Sequence, residues 1–358
     1  MLKKIEVKGF KSVKEMNIEL KSLNILIGAN GVGKSNFVSL FKLINKIIEK
    51  NLQVFVAQSG GVDSLLYFGQ KQTKELFVDL FFGQNSYHFS LIPTLKNTLI
   101  FSKEKGCFYG EGYREPYIAF EYNGNDETNM YDVQRSEKTA KFILDTIKSW
   151  KLYHFHDTSD SSKMKQFGNI NDNILLQPDA SNIAAYLFYL KQKYPQDYRN
   201  IVETIQNVAP FFDDFILRHN PINNNLIQLE WKEKGSDVLF NSHSFSDGTL
   251  RFICLATLLL QPDLPSIILL DEPELGLHPY AITLLSSLIK SAATKTQIII
   301  ATQSVTFVNQ FDPGDIIVVN RNVDQSTFKR LNKKDMENWL EEYGLGDLWE
   351  KNIIGGRP

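Results

Sequence analysis

The stretch that decides the fold is Gly28-Ala29-Asn30-Gly31-Val32-Gly33-Lys34-Ser35, which fits the pattern G-x-x-x-x-G-K-[ST] in full. It follows an apolar run, Leu23 to Ile27, which predicts a buried strand. From Phe37 to Ile48 apolar residues then recur every three or four positions, which predicts a helix. Strand, glycine-rich loop and helix in this order form the context in which the pattern binds phosphates. The sequence therefore predicts a nucleoside-triphosphate site.

Each residue type in this loop has a physical reason. Glycines let backbone N–H groups curl around an oxyanion, and the following helix N-terminus adds favourable positive potential. We expect Lys34 to reach the β- and γ-phosphates and the Ser35 hydroxyl to ligate Mg²⁺. The other residues of this segment in the predicted cofactor-binding set are Asn30, Gly31, Gly33 and Asn36.

A second apolar strand ends in two acids. Residues 267 to 270 are Ile-Ile-Leu-Leu, and Asp271 and Glu272 follow directly. Beside the glycine-rich loop, Asp271 would hold Mg²⁺ directly or through water, and Glu272 would polarise an attacking water. A strand that simply ends in solvated acids is the alternative interpretation. A water-activating glutamate indicates hydrolysis rather than phosphoryl transfer to a metabolite.

The remaining pattern changes along the chain. Apolar residues alternate with polar ones from about Glu75 to Tyr122, which predicts an antiparallel lobe. The composition of Asp157 to Asn173 predicts a mobile surface loop. From Ser246 to Val319 helices alternate with apolar strands, which predicts a parallel sheet covered on both faces.

Composition and charge exclude several classes. The 358 residues carry 39 basic and 41 acidic side chains, so the net charge does not indicate a nucleic-acid binder, although a local basic patch stays open. Cys107 and Cys254 alone cannot build a disulfide scaffold or a cysteine zinc site. The chain has no apolar run of membrane length and no signal-peptide core, so we expect a cytoplasmic protein without a membrane partner. We expect the nucleotide to be ATP rather than GTP.

Four segments together resemble the ABC-type ATPases, in particular the SMC/RecF/OLD-like branch of single-chain ATPase heads. The first is IEVKGFKSVKEMNIEL from Ile5, and the second is SFSDGT from Ser244, which is similar to the ABC signature motif. The third is LLDEPELGLHP, Leu269 to Pro279, which resembles the Walker B and D-loop segment, and the fourth is ATQS from Ala301, which stands at the switch position. The resemblance covers about Leu2 to Val56 and Phe245 to Val319. It implies an α/β P-loop NTPase fold, an ABC-type ATPase head with an antiparallel β lobe and a helical lobe inserted between the Walker A loop and the signature motif.

The resemblance also implies a domain division. We expect an ATP-binding core at residues 1–74 and 245–330 and an antiparallel β lobe with a helix at 75–150. A helical lobe leading to the signature is expected at 151–244, and a C-terminal helical tail, with Trp339 and Trp349, at 331–358.

By the same resemblance, one copy holds an incomplete site. Ser246 and Gly248 of one subunit would cap the γ-phosphate bound to Lys34 of another, in a head-to-tail homodimer or higher even oligomer. A plain Ser/Asp helix cap is the alternative interpretation of this segment. Lys11 and Ser12 would touch the phosphates, or else form a surface turn.

Departures from the family pattern affect the expected rate of ATP hydrolysis. His278 stands where family transporters carry Asp at the end of the D-loop, and Gln303 stands where they carry the switch histidine. Gln303 can orient a water or contact the γ-phosphate but cannot change charge near neutral pH, so hydrolysis is expected to be slow or to depend on a partner. The alternative interpretation is that Gln303 is a strand-end residue with no role. No glutamine ends the predicted strand Lys151 to His156, so His156 or Asp157 would substitute for the Q-loop near Mg²⁺. His154 and His156 also admit a metal-pair interpretation, against ordinary histidines.

The leading functional interpretation is an ATP-hydrolysing dimeric switch for a separate effector protein. By resemblance this indicates DNA-linked work, such as anti-phage defence with a nuclease effector, or DNA repair. The chain after Ser304 is too short for a nuclease domain, so the effector is expected on another chain. The alternatives are the energy subunit of a membrane transporter and an ATP-regulated scaffold with little turnover.

Overall fold

Apolar residues that alternate with polar ones produce the strands of the N-terminal region, and apolar residues at helical spacing produce its longest helix. The computed structural model describes residues 1–110, 112, 115–336, 339 and 341–356. Up to Lys148 the elements are, in chain order, β1 (Lys4–Phe10), β2 (Val13–Glu19), β3 (Leu23–Ile27), α1 (Lys34–Ile48), α2 (Leu52–Gln58), α3 (Gly69–Gln72), β4 (Leu76–Phe81), β5 (Asn85–Pro93), β6 (Leu99–Phe108), β7 (Tyr117–Tyr122), α4 (Met130–Val133) and α5 (Lys138–Lys148).

Among the described residues, the rest of the chain contains mostly short strands and four helices of 11 to 14 residues. The elements are β8 (Trp150–Tyr153), β9 (Gly168–Asn169), α6 (Ile183–Lys193), α7 (Pro195–Val208), β10 (Phe212–Ile216), β11 (Leu226–Ile227), β12 (Glu230–Glu233), β13 (Leu239–Asn241), α8 (Asp247–Leu260), β14 (Ile267–Asp271), α9 (Pro279–Ala292), β15 (Gln297–Thr302), α10 (Val305–Val308), β16 (Ile316–Asn322), β17 (Gln325–Arg330) and α11 (Leu345–Glu350).

Contacts within the chain divide it into two units. Unit 1 comprises Met1–Trp150, Ile299–Val305 and Phe311–Pro358, and unit 2 comprises Lys151–Ile298 and Thr306–Gln310. The functional division into core, lobes and tail that the sequence suggests stays a prediction, because these units group residues by mutual contact.

Unit 1 contains a six-stranded antiparallel sheet in the order β2-β1-β4-β5-β6-β7. The antiparallel character predicted from the alternation is confirmed, and the sheet also takes in β1 and β2. Inward side chains such as Ile5, Val78 and Phe89 are fully buried. Helix α5 packs against β5, β6 and β7.

Unit 1 also contains the strand that leads into the glycine-rich loop. All five residues of β3 are buried. β3 pairs in parallel with β16, with Ile25 opposite Ile316, and β17 adds to β16 in antiparallel register. The predicted parallel pairing is thereby confirmed for β3 and β16, whereas β17 was not predicted.

Unit 2 is organised around α8, whose residues from Leu250 to Leu259 are all buried. Helices α7 and α9 pack against it. A small antiparallel sheet, β10-β12-β13, places Trp231 where its ring stacks on those of Phe240 and Phe245. The sequence did not predict this sheet.

The segment predicted as a mobile surface loop has a buried part. Met164 and Lys165, in the 3₁₀ turn Lys163–Lys165, are buried, and β9 pairs with β11. The polar composition of the segment does not indicate these buried residues, so they were not predicted. The strand predicted at Lys151 to His156 is the shorter β8.

The described part of the C-terminal tail packs within unit 1. Trp349 in α11 is fully buried and its Nε1 donates to Gly356 O, while Gly356 N donates to Asn320 Oδ1 at 2.7 Å. The predicted helix around Trp339 includes residues 337, 338 and 340, which lie outside the described residues, as do Arg357 and Pro358. Among the described helices, none combines the length and apolarity that a membrane crossing requires.

Candidate functional site

The glycine-rich loop in unit 1 joins the buried β3 to the N-terminus of α1. Gly33 is the N-cap residue of this 15-residue helix, with φ 117° and ψ 10°, a conformation that a side chain would strain. A Cβ at Gly28 would collide with Val319 O. The predicted strand, loop and helix are therefore confirmed, and close packing fixes the loop at both ends.

Lys34 lies inside the loop. Its side chain is buried, and Nζ donates to Gly28 O at 2.5 Å and to Ala29 O at 2.9 Å. Asn30 and Ser35 are exposed, and the Ser35 hydroxyl makes no hydrogen bond to any described residue. No atom lies within 4 Å of a Cβ position at Gly31. The loop thus offers a buried ammonium, an available hydroxyl and open space, which is the donor set that a triphosphate with Mg²⁺ requires.

A chain of hydrogen bonds supports the loop from behind. Asn36 Nδ2 donates to Ser12 Oγ at 2.6 Å, and Ser12 Oγ shares a hydrogen bond of 2.6 Å with Ser326 Oγ. Ser326 Oγ donates to Val32 O at 2.5 Å, and a Cβ at Gly33 would overlap Ser326 Oγ. Ser12 is buried, so it belongs to this support and not to an exposed surface turn. The sequence analysis missed Ser326, because no motif surrounds it.

Lys11 lies beside this support, in the two-residue turn between β1 and β2. Its φ of 48° is left-handed, and Nζ donates to Ser39 Oγ at 2.7 Å. Burial, together with the nearby charge of Lys42, lowers the pKa of the Lys11 ammonium. With Ser12, Asn36 and other residues it lines a cavity of about 480 Å³ within unit 1.

Gln303 directly follows β15, so the predicted strand end is confirmed. Its side chain is half-buried and has an interaction partner. The role of Gln303 stays a prediction.

The acidic strand end lies in unit 2. Ile267 to Leu270 are buried in β14, whereas Asp271 and Glu272 are half-buried. Glu272 has a φ of 43°, a left-handed conformation that costs a non-glycine residue about 1 kcal/mol. Backbone strain of this kind clusters at functional sites.

His156 reaches this strand end. Its Nε2 donates to Asp271 O at 2.7 Å, so the structure brings the candidate Q-loop substitute next to the candidate metal ligand. Asp157 instead accepts hydrogen bonds from Ser159 Oγ and N, which lower the pKa of its carboxyl group. The rings of His154 and His156 are 6.3 Å apart. Nowhere in the described residues do three or more His, Cys, Asp or Glu side chains gather to hold a metal ion.

Arg251 in α8 ties these segments together. It is buried, and Nε and Nη2 donate to Phe155 O at 3.0 Å and His156 O at 3.2 Å. Nη1 donates to Leu275 O in the D-loop. Burial lowers the pKa of this guanidinium, and the charge of Asp247 opposes that shift. No motif in the sequence signalled this function of Arg251.

The signature segment forms the N-terminus of α8. Ser246 is the N-cap residue, and its Oγ accepts from Thr249 N at 3.1 Å, so the helix-cap interpretation is confirmed as a structural fact. The ring of Phe245 stacks on Trp231 with centroids 4.4 Å apart, which anchors the cap. A Cβ at Gly248 would lie 2.5 Å from Gly276 O of the D-loop. Gly248 is therefore also required by packing.

His278 closes the D-loop at the opposite end from the acids. It is exposed and caps α9, and its Nδ1 accepts from Tyr280 N at 3.3 Å. Within unit 2 the structure thus joins His156 to Asp271 and Gly248 to the D-loop. Within unit 1 it joins Asn36 and Ser12 to the loop that holds Lys34.

These motifs, in this order, correspond to a known family. The family model described as "AAA domain, putative AbiEii toxin, Type IV TA system" matches residues 23–309. The chain belongs to this AAA domain family. Membership confirms the resemblance to the SMC/RecF/OLD-like ATPase heads. Among the described residues no helix has the length of a coiled-coil arm, since α1, the longest of them, has 15 residues. The family implies nucleotide use, typically with Mg²⁺.

Two characterised proteins are similar to the chain. The Septu protein PtuA of Bacillus mycoides (strain KBAB4) is 23% identical over 91% of this chain and 41% of its own length. The chromosome partition protein Smc of Methanocaldococcus jannaschii is 23% identical over 59% of this chain and 15% of its own length. The chain therefore spans less than half the length of either relative.

Two solved structures share the fold. The Smc head bound to the C-winged helix domain of ScpA has a TM-score of 0.62 at 17% identity, covering 94% of this chain and 99% of that one. The Smc head with an extended coiled coil bound to the C-terminal domain of ScpA, from Pyrococcus furiosus, has a TM-score of 0.57 at 17% identity, covering 95% and 98%. At this identity the likeness establishes the fold, a P-loop NTPase of the SMC-head type.

Proposed function

We propose that the chain binds and hydrolyses ATP, pairs head-to-tail with a second copy when ATP is bound, and thereby switches a separate effector protein. The observation that carries the proposal is the loop of unit 1, where the buried Lys34 ammonium lies at the N-terminus of α1. Buried positive charge and a helix N-terminus together favour a polyphosphate anion.

The residues of unit 1 bind the nucleotide. Lys34 turns from the carbonyls of Gly28 and Ala29 to the β- and γ-phosphates, while the loop N–H groups hold the phosphate oxygens. Asn30, Gly31, Gly33 and Asn36 complete this cradle. Lys11, at the edge of the adjoining cavity, contributes positive charge toward the nucleotide.

The catalytic roles fall to Ser35 at the start of α1 and to side chains at the ends of β14 and β15. Ser35 and Asp271 would hold Mg²⁺, with His156 or Asp157 as a further neighbour, and the ion, when bound, would neutralise charge on the phosphate oxygens. Glu272 accepts a proton from the attacking water, and Gln303 orients that water. An uncharged amide at position 303 keeps turnover slow without a partner.

The second copy supplies the lid. Ser246 is exposed at the N-terminus of α8, so another molecule can approach it. We propose that Ser246 and the N–H of Gly248 contact the γ-phosphate held by Lys34 of the partner copy, with His278 in the same interface. Two sites per C₂ dimer follow from this arrangement.

The biological role rests on resemblance. The similarity to the Septu protein and to the OLD-like branch supports DNA-linked work in anti-phage defence, with a nuclease as the separate effector, and the similarity to Smc keeps DNA repair as the neighbouring role. DNA itself would bind through a local basic patch, which a salt titration of affinity tests through its negative slope.

The test compares the parent and four variants by sedimentation velocity with and without MgATP and by phosphate release. Glu272→Gln should bind ATP, release phosphate at least about a hundredfold more slowly, and accumulate as a dimer. Lys34→Ala should bind no ATP, and Ser246→Arg should bind ATP yet remain monomeric. Glu203→Gln, an exposed glutamate on α7, is the matched control and should behave as the parent.

Two results would overturn the proposal. Full-speed turnover by a strict monomer, independent of protein concentration, would remove the need for a second copy. Phosphate release by Glu272→Gln at the parent rate would remove Glu272 as the base. A dimer that forms with no detectable turnover would leave an ATP-regulated scaffold.

A further inference from the structure

A buried lysine lies at the N-terminus of the signature helix and takes no part in the chemistry described so far. The Lys165 side chain is 5% exposed, and its Nζ lies 3.8 Å from Asp247 Oδ1, in the first residue of α8. The second nearby acid, Asp160, lies 3.9 Å from the same nitrogen. Both contacts lie beyond hydrogen-bond distance. The N–H groups of the ammonium therefore form no hydrogen bond to either carboxylate, in a place where water is largely excluded.

The two carboxylates near Lys165 are exposed to solvent. Asp160 is 94% exposed and Asp247 is 67% exposed. Asp160 Oδ1 also lies 3.5 Å from His243 Nδ1. An exposed carboxylate stays hydrated and moves freely, so it is a weak and replaceable partner for a buried cation.

The Lys165 backbone, in contrast, is fixed. Its carbonyl accepts hydrogen bonds from Gln228 Nε2 at 2.8 Å and Ser242 Oγ at 3.1 Å, and its neighbour Met164 is buried. The fixed backbone thus keeps the ammonium at the start of α8. The composition of the surrounding loop, rich in Ser, Asp and Asn, gives no hint of this anchor.

The helix end adds donors of its own. The first N–H groups of an α-helix have no acceptor inside the helix. In α8 the Ser246 hydroxyl accepts from Thr249 N, and within the described part of the chain no residue accepts from the N–H of Asp247 or Gly248. A buried cation beside free N–H groups at a helix N-terminus is an arrangement that binds an anion.

We infer that Lys165 is a phosphate-binding residue of the lid: its ammonium, with the N–H groups at the start of α8, contacts the γ-phosphate presented by a second copy, and Asp160 occupies that cation until the phosphate displaces it. The inference rests on the proposed function and adds a residue and a competitor to it. A trianionic terminal phosphate is a stronger partner for an ammonium than a hydrated carboxylate is. The lid therefore closes only on a copy that carries a triphosphate.

The experiment measures the ATP-dependent dimerisation constant by sedimentation velocity, with every variant in the Glu272→Gln background. Lys165→Met should weaken dimerisation about tenfold per site, hence about a hundredfold for a dimer with two sites. Binding of a fluorescent ATP analogue to the monomer should stay within about twofold of the parent, because the loop of unit 1 is untouched. Lys165→Arg should recover part of the loss.

Two further variants separate this role from a structural one. Lys163→Met removes the same charge two residues away, from a side chain that is 78% exposed and 3.7 Å from Asp179, and should leave dimerisation unchanged. Asp160→Asn should tighten dimerisation several-fold by removing the competitor, and only when Lys165 is present. Since Asp160 is exposed, this arm holds even where Lys165→Met folds poorly.

The outcomes distinguish the two proposals. If the parent dimerises with ATP, Ser246→Arg does not, and Lys165→Met dimerises as tightly as the parent, the assignment of Lys165 is wrong while the proposed function stands. An Asp160→Asn protein that pairs no more tightly than its parent overturns the displacement step. A parent that never pairs with ATP overturns both proposals.

Discussion

Replacement of Arg251 by methionine tests whether the signature helix, the D-loop and the acidic strand end act as one piece. Arg251 is 7% exposed, and its guanidinium donates to three backbone carbonyls, those of Phe155, His156 and Leu275. Methionine has a similar length and no donor, so all three carbonyls lose their partner. His156 in turn donates to Asp271 O, so the loss extends to the strand end that carries Glu272.

The expected magnitude follows from these contacts. A hydrogen bond from a charged donor contributes about 1.5–3 kcal/mol, but bonds that share one donor group are not additive and some carbonyls regain water. We therefore expect Arg251→Met to lower the free energy of unfolding by about 4 kcal/mol, measured by urea denaturation. Phosphate release should fall at least about tenfold, while ATP affinity changes little, because the loop that holds Lys34 belongs to unit 1.

Arg199→Met is the matched control. Arg199 is exposed on α7 and donates to Gln196, one helical turn away, so the change should stay within about 0.5 kcal/mol. Arg251→Lys keeps the positive charge but not the several N–H donors of the planar guanidinium. Its loss in the free energy of unfolding should be about half that of Arg251→Met. A loss below about 1 kcal/mol for Arg251→Met, with normal turnover, would refute the reasoning.

Two further substitutions test the close contacts of the motifs. Gly248→Ala places a Cβ about 2.5 Å from Gly276 O, so the D-loop must move; we expect a loss of about 1–3 kcal/mol in urea denaturation, whereas Gly168→Ala, whose Cβ meets Ser181 O at an ordinary 3.5 Å, should be near neutral. Equal stability of the two variants would contradict the contact. Ser326→Ala removes the hydroxyl that bonds to Val32 O and leaves Ser12 Oγ with Asn36 Nδ2 alone, so it should cost about 1–3 kcal/mol and weaken ATP binding several-fold by calorimetry. Ser136→Ala, at an exposed serine, is its control, and unchanged ATP affinity for Ser326→Ala would exclude a supporting role.

The parts of the fold that the sequence predicted are those that local patterns encode. An apolar strand, three glycines and a lysine at fixed spacing specify the loop because each requirement is met by neighbouring residues. The strand that ends in Asp271 and Glu272 is predicted for the same reason. Helix α9 begins at Pro279, and proline at the first helical position is a local signal of the same kind.

The parts that the sequence did not predict depend on distant contacts. Ser12 and Ser326 are 314 positions apart, and no local pattern marks a serine that supports a loop. Lys165 lies in a stretch whose average composition is that of a surface loop, yet its own side chain is buried. The left-handed backbone conformation of Glu272 could not be predicted from the sequence either, because glutamate has no preference for that conformation.

The motif glycines show why side chains, not glycines, have to carry the functional tests. A Cβ at Gly28 would meet Val319 O, one at Gly33 would meet Ser326, and one at Gly248 would meet Gly276. Each glycine is thus required by packing within its own unit, whatever it does for a phosphate. A glycine variant that loses activity therefore cannot separate a lost phosphate contact from a displaced loop. Lys34 and Lys165 differ in this respect, because neutralising either side chain introduces no clash. It removes the ammonium and, for Lys34, the hydrogen bonds that Nζ donates to Gly28 O and Ala29 O. A loss of ATP binding in one and of pairing in the other would then be an electrostatic result, and that division is what a site completed by a second copy requires.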